Sequence, residues 1–266
     1  TERQFDAGID GLAVCATTGE APTLSHDEKR KVFKRTAEIA HYYDKHIVAN
    51  IGNYNTKESI SLAKEAKELG ADFLMAVVPY YNKPPQEGLY QHFGAISKAT
   101  DLPLIMYNIP GRVVIKMHPQ TIIDIARDFP LVKGIKQAVD NLDDIPAIVE
   151  GTPDDFQVLS GNDDQTVEMM RLGGSGVICT SSNVAPKEMR ELVYTAADGN
   201  FAEAKKLHDK MLPLMEGLFT TTNPILVKAS LELLGYEVGG LRLPLISATD
   251  EQRAEIQKVL TSLNLM

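Results

Sequence analysis

The feature that most constrains the fold of this chain is a regular alternation of short apolar segments with helix-forming segments. Each strand–helix unit spans roughly 30 residues, the usual size of a strand, crossover helix and strand. Parallel strands joined in this way have right-handed crossovers. The alternation therefore predicts an α/β fold built on a parallel sheet. The predicted strands are "GLAVCA" (11–16), "HIVANI" (46–51), "DFLMAVV" (72–78), "LPLIMYN" (102–108), "LVKGIK" (131–136), "FQVLSG" (156–161) and "GVICT" (176–180).

Capping signals mark the ends of the first helices. Ser25 with Glu28 forms a capping box, and Asn55 with Glu58 opens the next helix. Gly70 stands where a left-handed residue ends that helix. After the last predicted strand the pattern is helical only, which predicts a C-terminal helical extension. Its helices are expected over 186–197, 201–217, 224–235 and 249–263.

Two architectures fit this pattern, an open doubly wound sheet and a (β/α)8 TIM barrel. Reactive side chains follow several successive strands, as in a barrel whose active-site loops meet at one face. No glycine-rich nucleotide motif supports the open sheet. The barrel is therefore the predicted fold, with residues 1–197 as the barrel and 198–266 as the helical extension of the same domain. "TERQFDAGIDG" (1–11) reads as the end of a helix, so we expect this barrel to lack its first β-strand and part of its first helix.

Composition argues against several classes of function. A net charge of −9 disfavours nucleic acid and anionic membranes as partners. No apolar run approaches the roughly 18 residues of a membrane span, and no secretory signal opens the chain. The six histidines lack metal-binding spacing, so no metal site is expected. Cys15 and Cys179 stand in apolar segments, which is typical of reduced core thiols and predicts a cytoplasmic protein.

Lys136 ends a predicted strand, where a charge is unusual. Side chains alternate along a strand, so Tyr107 and Lys136 are expected at the ends of neighbouring strands on one face. Burial lowers the pKa of a lysine and leaves a neutral amine that attacks carbonyl carbon. A nearby phenol can shuttle the protons of that reaction. The alternatives are a solvated Lys136 paired with Asp140 and a structural core tyrosine at position 107.

Other strand ends carry polar groups of the same kind. Thr17 and Thr18 follow the first predicted strand and can bind a carboxylate, or they can belong to an ordinary turn. Tyr81 lies in a proline-bounded loop, "VVPYYNKPP" (77–85), which suits either a presented hydroxyl or an interface. Arg112 on the "YNIPGR" turn (107–112) suits a carboxylate clamp or a surface salt bridge.

Six motifs occur in a fixed order along the chain: "TTGE", "PYYNKP", "YNIPGR", "GIKQA", "LSGNDD" and "TNPILVK". From about residue 5 to the C-terminus the sequence resembles the dihydrodipicolinate synthase family, also called 4-hydroxy-tetrahydrodipicolinate synthase. The wider superfamily includes N-acetylneuraminate lyase. The resemblance implies a lyase of lysine and diaminopimelate biosynthesis that joins pyruvate to L-aspartate 4-semialdehyde without a metal or organic cofactor.

The resemblance also implies catalytic roles. Lys136 forms the Schiff base with pyruvate, and Tyr107 donates and accepts protons beside it. Thr17 links Tyr107 to Tyr81, which in this family reaches in from a neighbouring subunit. A homodimer or a homotetramer is therefore expected.

Three further residues receive substrate-binding roles from the same resemblance. Thr18 binds the pyruvate carboxylate, and the backbone of Ile178 contacts the bound substrate. Arg112 holds the carboxylate of the second substrate. Two alternatives remain open at this point: another pyruvate-dependent class I aldolase, acting on N-acetylneuraminate or a 2-keto-3-deoxy sugar acid, and a catalytically impaired truncated relative.

Overall fold

The computed structural model describes residues 1–266 and contains a seven-stranded parallel sheet in the order β1-β2-β3-β4-β5-β6-β7. Sequential order along the chain differs from the reversed order of a doubly wound sheet, so the open-sheet alternative is excluded. The strands are β1 (Gly11–Val14), β2 (His46–Asn50), β3 (Phe73–Val77), β4 (Leu104–Asn108), β5 (Val132–Gln137), β6 (Gln157–Ser160) and β7 (Gly176–Val177). All seven predicted strands are confirmed, each within a few residues at its ends.

Helices connect the strands and follow the last one. They are α1 (Glu2–Asp6), α2 (His26–Tyr42), α3 (Thr56–Glu68), α4 (Gln86–Ser97), α5 (Pro110–Val113), α6 (Pro119–Asp128), α7 (Ile145–Gly151), α8 (Thr166–Arg171), α9 (Pro186–Ala197), α10 (Phe201–Gly217), α11 (Ile225–Leu233) and α12 (Asp250–Ser262). The capping box of Ser25 and Glu28 is confirmed at α2. Asn55 caps α3 by accepting from the amide of Lys57, without the reciprocal bond expected from Glu58. None of the helices combines the length and hydrophobicity of a membrane span.

Three apolar clusters organise the interior. The largest packs the sheet against its surrounding helices and includes Phe33, Leu74 and Phe93. A second joins α8 and α9 to the C-terminal helices, for example through Leu214. The third is small and includes Met75, Ile105, Tyr107 and Ala138. It is distinct from the large cluster, although Val77 and Ile109 pack against both. The predicted boundary at residue 197 stays a prediction.

The two edge strands, β1 and β7, do not pair with each other. The segment before β1 instead contacts the segment after β7. The side-chain amide of Gln4 donates to the carbonyl of Ser182 at 2.9 Å, and Nε of Arg190 donates to the carbonyl of Gly8 at 2.8 Å. The observed fold is thus a curled parallel α/β sheet of seven strands, and the predicted lack of a first strand stays a prediction.

Candidate active site

Lys136 and Tyr107 are register partners on β5 and β4. The lysine Nζ lies 4.4 Å from the centroid of the tyrosine ring. Only 9% of Lys136 is exposed, and its side chain forms no ion pair with Asp140 or any other carboxylate. The sheet register therefore places the amine against an aromatic face and away from bulk water, as the alternation of side chains predicts.

Burial controls the charge of this amine. It lowers the pKa of Lys136 from 10.5 to about 8, although the negative charge of Asp163 and the nearby Cys179 oppose the shift. With a pKa near 8, about a tenth of the amine is neutral at pH 7, compared with about 3 in 10,000 for an ordinary lysine. The buried position thus supplies a nucleophile at neutral pH.

The phenol of Tyr107 is protonated at neutral pH. Burial raises its pKa to about 12, while the positive charge of Arg112 and the hydroxyl of Thr17 act in the opposite direction. Thr17 is therefore a close neighbour of this phenol, although the pair lacks the geometry of a normal hydrogen bond. Tyr107 is placed to donate a proton to a group bound at Lys136 and to take it back.

Asp163 is a charged group of the site that the sequence reasoning missed. It is 2% exposed, and its carboxylate accepts hydrogen bonds from the amides of Thr180 and Ser181 and from the Ser181 hydroxyl. Burial raises the pKa of Asp163, and these donors and Lys136 oppose that effect. Its place just after β6, within "LSGNDD", was the available signal.

The loop after β1 carries Thr17 and Thr18, both half-buried. The Thr18 hydroxyl accepts a hydrogen bond of 2.9 Å from the side-chain amide of Asn223. Ile178, directly after β7, packs against the small interior cluster that contains Tyr107. Its amide donates to the carbonyl of Ser160 at 3.0 Å, so its carbonyl is the backbone group left for a ligand.

Two predicted site residues lie further out. Arg112 is exposed on α5, directly after β4, and still influences the pKa of Tyr107. Tyr81 is 91% exposed on the loop after β3, with a backbone φ of 67°. A single chain therefore does not bring Tyr81 together with Tyr107 and Lys136.

Both cysteines are unpaired, as expected. Cys15 is buried, and burial raises the pKa of its thiol to about 11, so it is uncharged at neutral pH. Cys179 is only half-buried, which corrects the expectation that both thiols lie in the core. It follows β7, at the strand end where the sheet opens toward Lys136.

Comparisons with known proteins agree with this geometry. Residues 1–263 match the Dihydrodipicolinate synthetase family. The 4-hydroxy-tetrahydrodipicolinate synthase of Listeria monocytogenes serotype 4b is 45% identical over 258 residues, which cover 97% of this chain and 87% of that protein. The crystal structure of the dihydrodipicolinate synthase of Thermotoga maritima has a TM-score of 0.97 and 42% identity, covering 100% of this chain and 90% of that one.

A second solved structure adds a ligand to the comparison. The chloride-inhibited dihydrodipicolinate synthase of Acinetobacter baumannii, complexed with pyruvate, has a TM-score of 0.96 and 38% identity. It covers 100% of this chain and 90% of that one. Because the family match extends over nearly the whole sequence and the fold agrees throughout, the chain belongs to the dihydrodipicolinate synthetase family.

Proposed function

We propose that this chain is a Schiff-base-forming lyase that catalyses the 4-hydroxy-tetrahydrodipicolinate synthase reaction, the condensation of pyruvate with L-aspartate 4-semialdehyde. The observation that carries the proposal is the buried Lys136 amine, with its pKa lowered to about 8, against the face of Tyr107. The named activity of the relative that is 45% identical supports the same reaction. The reaction belongs to lysine and diaminopimelate biosynthesis.

The first half of the reaction builds an electron sink. The neutral amine of Lys136 attacks the ketone carbon of pyruvate and forms a carbinolamine. Tyr107 donates a proton to the hydroxyl of the carbinolamine. That hydroxyl then leaves as water, and an iminium is formed. The positive nitrogen withdraws electrons, so the methyl group gives a proton back to the Tyr107 phenolate and becomes the nucleophilic carbon of an enamine.

The second half forms the new carbon–carbon bond and the ring. The enamine carbon attacks the aldehyde carbon of the semialdehyde, Tyr107 gives its proton to the aldehyde oxygen, and the iminium forms again. The amino group of the second substrate then adds to the iminium carbon and expels the amine of Lys136. Overall, pyruvate and the semialdehyde combine with loss of one water, and Lys136 is regenerated.

Substrate-binding roles follow from the positions of the polar groups. Thr18 is assigned to the pyruvate carboxylate and the carbonyl of Ile178 to the bound substrate. Arg112, at the exposed entrance, is assigned to the carboxylate of the semialdehyde, since guanidinium binds carboxylate with two parallel hydrogen bonds. The pyruvate complex of the Acinetobacter baumannii relative supports a pyruvate site in this fold.

Tyr81 is assigned to a proton relay through Thr17 to Tyr107 in a homodimer or a homotetramer of dimers. Its 91% exposure in the single chain leaves the phenol available to a second copy. Tyr81→Phe is expected to lower kcat with little change in thermal stability, because the side chain is 91% exposed in its own chain and the substitution keeps the ring. Sedimentation of the wild-type chain as a monomer, with full activity, would contradict this assignment.

The test of the function is covalent trapping. Sodium borohydride with pyruvate is expected to add one reduced pyruvyl group to a peptide containing Lys136, and Lys136→Arg is expected to abolish it. Lys133→Arg is the matched control, because Lys133 lies on the same strand but pairs with Asp155 at the surface. Parallel assays with the semialdehyde and with sugar aldehydes identify the second substrate. If pyruvate is trapped on Lys136 but none of the aldehydes is converted, the chain is a catalytically impaired relative.

A further inference from the structure

The loop between β1 and α2 has an unusual backbone at both ends. Cys15 has φ of 53° and Glu20 has φ of 51°, so two residues with side chains occupy the left-handed region. Only glycine adopts this region without cost, and other residues stay there when surrounding contacts impose it. Thr17 and Thr18 lie between these two positions. The loop holds part of this shape itself, since the amide of Ala21 donates to the carbonyl of Ala16 at 3.2 Å, and contacts from outside the loop add to it.

One such contact comes from the segment before α11. The Nδ2 of Asn223 donates to Oγ1 of Thr18 at 2.9 Å, and Asn223 is only 6% exposed. Oδ1 of Asn223 is buried and has no partner, so this is the single hydrogen bond that the amide makes. A buried amide in which only the NH2 group is hydrogen-bonded contributes little to stability. The position of Asn223 is better explained by its effect on the orientation of the Thr18 hydroxyl.

The direction of this hydrogen bond decides how the hydroxyl of Thr18 is used. A hydroxyl has one proton to donate and lone pairs that accept. Since Thr18 accepts from Asn223, its own proton is left for another acceptor. A carboxylate oxygen is a strong acceptor of this kind. Asn223 thus orients the threonine hydroxyl as a donor.

A second contact holds the far end of the loop. Nζ of Lys228, on α11, donates to Oε1 of Glu20 at 2.5 Å and to the carbonyl of Gly240 at 2.7 Å. The amide of Arg242 donates to Oε2 of the same glutamate at 3.1 Å. The side chains of Lys228 and Glu20 are only 19% and 11% exposed, so water screens this pair weakly.

The guanidinium of Arg242 adds further hydrogen bonds between the C-terminal part of the chain and the region around α2. It donates to both carboxylate oxygens of Glu28 at 2.8 and 2.6 Å and to the carbonyl of Thr23 at 2.9 Å. The C-terminal part of the chain therefore contacts the β1–α2 connection at Thr18, Glu20 and Thr23, and the first turn of α2 at Glu28. All of these contacts join residues that are more than 200 positions apart.

We propose that Asn223, Lys228 and Arg242, which we call the C-terminal clamp, are positioning residues that hold Thr18 as a hydrogen-bond donor for the carboxylate of pyruvate. This inference rests on the proposed function. It gives a role to Asn223 and Lys228, which belong to the motif "TNPILVK", and to Arg242, which lies beyond that motif. The clamp acts through Thr18 and Glu20 and does not touch the reacting atoms at Lys136.

A double-mutant cycle tests the contact with Thr18. Asn223→Ala is expected to raise the KM for pyruvate about tenfold. Without Asn223, Thr18 is no longer held as a donor to the pyruvate carboxylate, and losing one hydrogen bond to a charged group has about this effect. The KM for the semialdehyde is expected to stay within about twofold. In a Thr18→Ala background the same change is expected to have less than a twofold effect, because its target is gone. In a Thr18→Ser background, which keeps the hydroxyl, the effect is expected to return.

The contact with Glu20 is tested separately. Lys228→Met and Glu20→Gln are each expected to raise the KM for pyruvate, and the double variant is expected to resemble the single ones. Lys258→Met is the matched control, since Lys258 pairs with Glu255 at 2.6 Å on the exposed surface of α12. That control is expected to leave both KM values unchanged.

The results that overturn the inference are distinct from those that overturn the function. The clamp is rejected if Asn223→Ala leaves the KM for pyruvate at the wild-type value. It is also rejected if Asn223→Ala raises this KM by the same factor in the Thr18→Ala background as in the wild type. If Asn223→Ala unfolds, Asn223→Leu fills the buried volume and is measured instead, with the same two criteria. A wild-type chain that pyruvate and borohydride do not label rejects the proposed function itself.

Discussion

Gly161 leaves room for the side chain of Lys136. A Cβ added at Gly161 would lie 3.0 Å from Cε of Lys136 and 2.8 Å from Cβ of Ala138. Both distances are shorter than ordinary carbon–carbon contacts. The residue after β6 is therefore required to be glycine because the lysine on β5 lies directly beside it.

Gly161→Ala is expected to displace the Lys136 amine. Overpacking of this kind costs roughly 1–3 kcal/mol of stability, and misplacing a nucleophile lowers its rate by roughly 10- to 100-fold. The measurements are the rate of borohydride-trapped adduct formation and the urea midpoint. Gly240→Ala is the control, since no atom lies within 4 Å of an added Cβ there. Normal trapping in Gly161→Ala would show that the lysine has another route to pyruvate.

Adduct formation is expected to depend on pH through the Lys136 amine. Its pKa is lowered to about 8, so the neutral fraction rises about tenfold per pH unit below that value and levels above it. The initial rate of pyruvate trapping, measured from pH 6 to pH 10 at low pyruvate, is expected to follow this curve. A rate that continues to rise tenfold per unit up to pH 10 would indicate a solvated, ordinary lysine.

Tyr107→Phe is expected to reduce turnover while preserving the fold. The change keeps the ring that contacts the amine and removes only the hydroxyl, so kcat is expected to fall by roughly 10²- to 10⁴-fold, the range for general acid–base catalysis. Tyr90→Phe is the control, because its hydroxyl bonds Asp128 at 2.7 Å at the surface. Steady-state kinetics and thermal unfolding are measured for both. An unchanged kcat would assign proton transfer to another group.

His92 is expected to make stability fall in mild acid. Burial lowers its pKa from 6.5 to about 4, and its Nε2 has no partner. Between these pH values the unfolded chain binds a proton that the folded chain does not, so the free energy of unfolding decreases as the pH falls from 6.5 to 4. The full loss is roughly 3 kcal/mol and does not grow below pH 4.

Urea unfolding at several pH values tests this dependence. His92→Gln keeps a polar side chain beside Thr56 and cannot titrate, so its stability relative to wild type is expected to improve as the pH falls. His118→Gln, at an exposed position, is expected to follow the wild-type curve. Parallel curves for wild type and His92→Gln would mean that another group controls acid stability.

The sequence was sufficient for the strands, most helix ends and the pairing of Lys136 with Tyr107. These features depend on short-range regularities: apolar periodicity, capping residues and the alternation of side chains along a strand. The exact register was not determined in this way, since the β4–β5 pairing shifts by one residue between Leu104 and Ile105. The capping box at Ser25 and the helix of residues 201–217 were predictable for this reason.

Asp163 and Gly161 stand in the motif "LSGNDD" and Asn223 in "TNPILVK", but the sequence did not show which side chains they contact. Their roles depend on which groups become neighbours when distant segments pack, and no sequence pattern pairs Thr18 with Asn223 across a separation of 205 positions. The exposure of Tyr81 was likewise decided by the loop after β3. Local chemistry thus determined which residues could react, whereas tertiary packing decided which of them lose water and acquire shifted pKa values, because burial is a property of the whole fold.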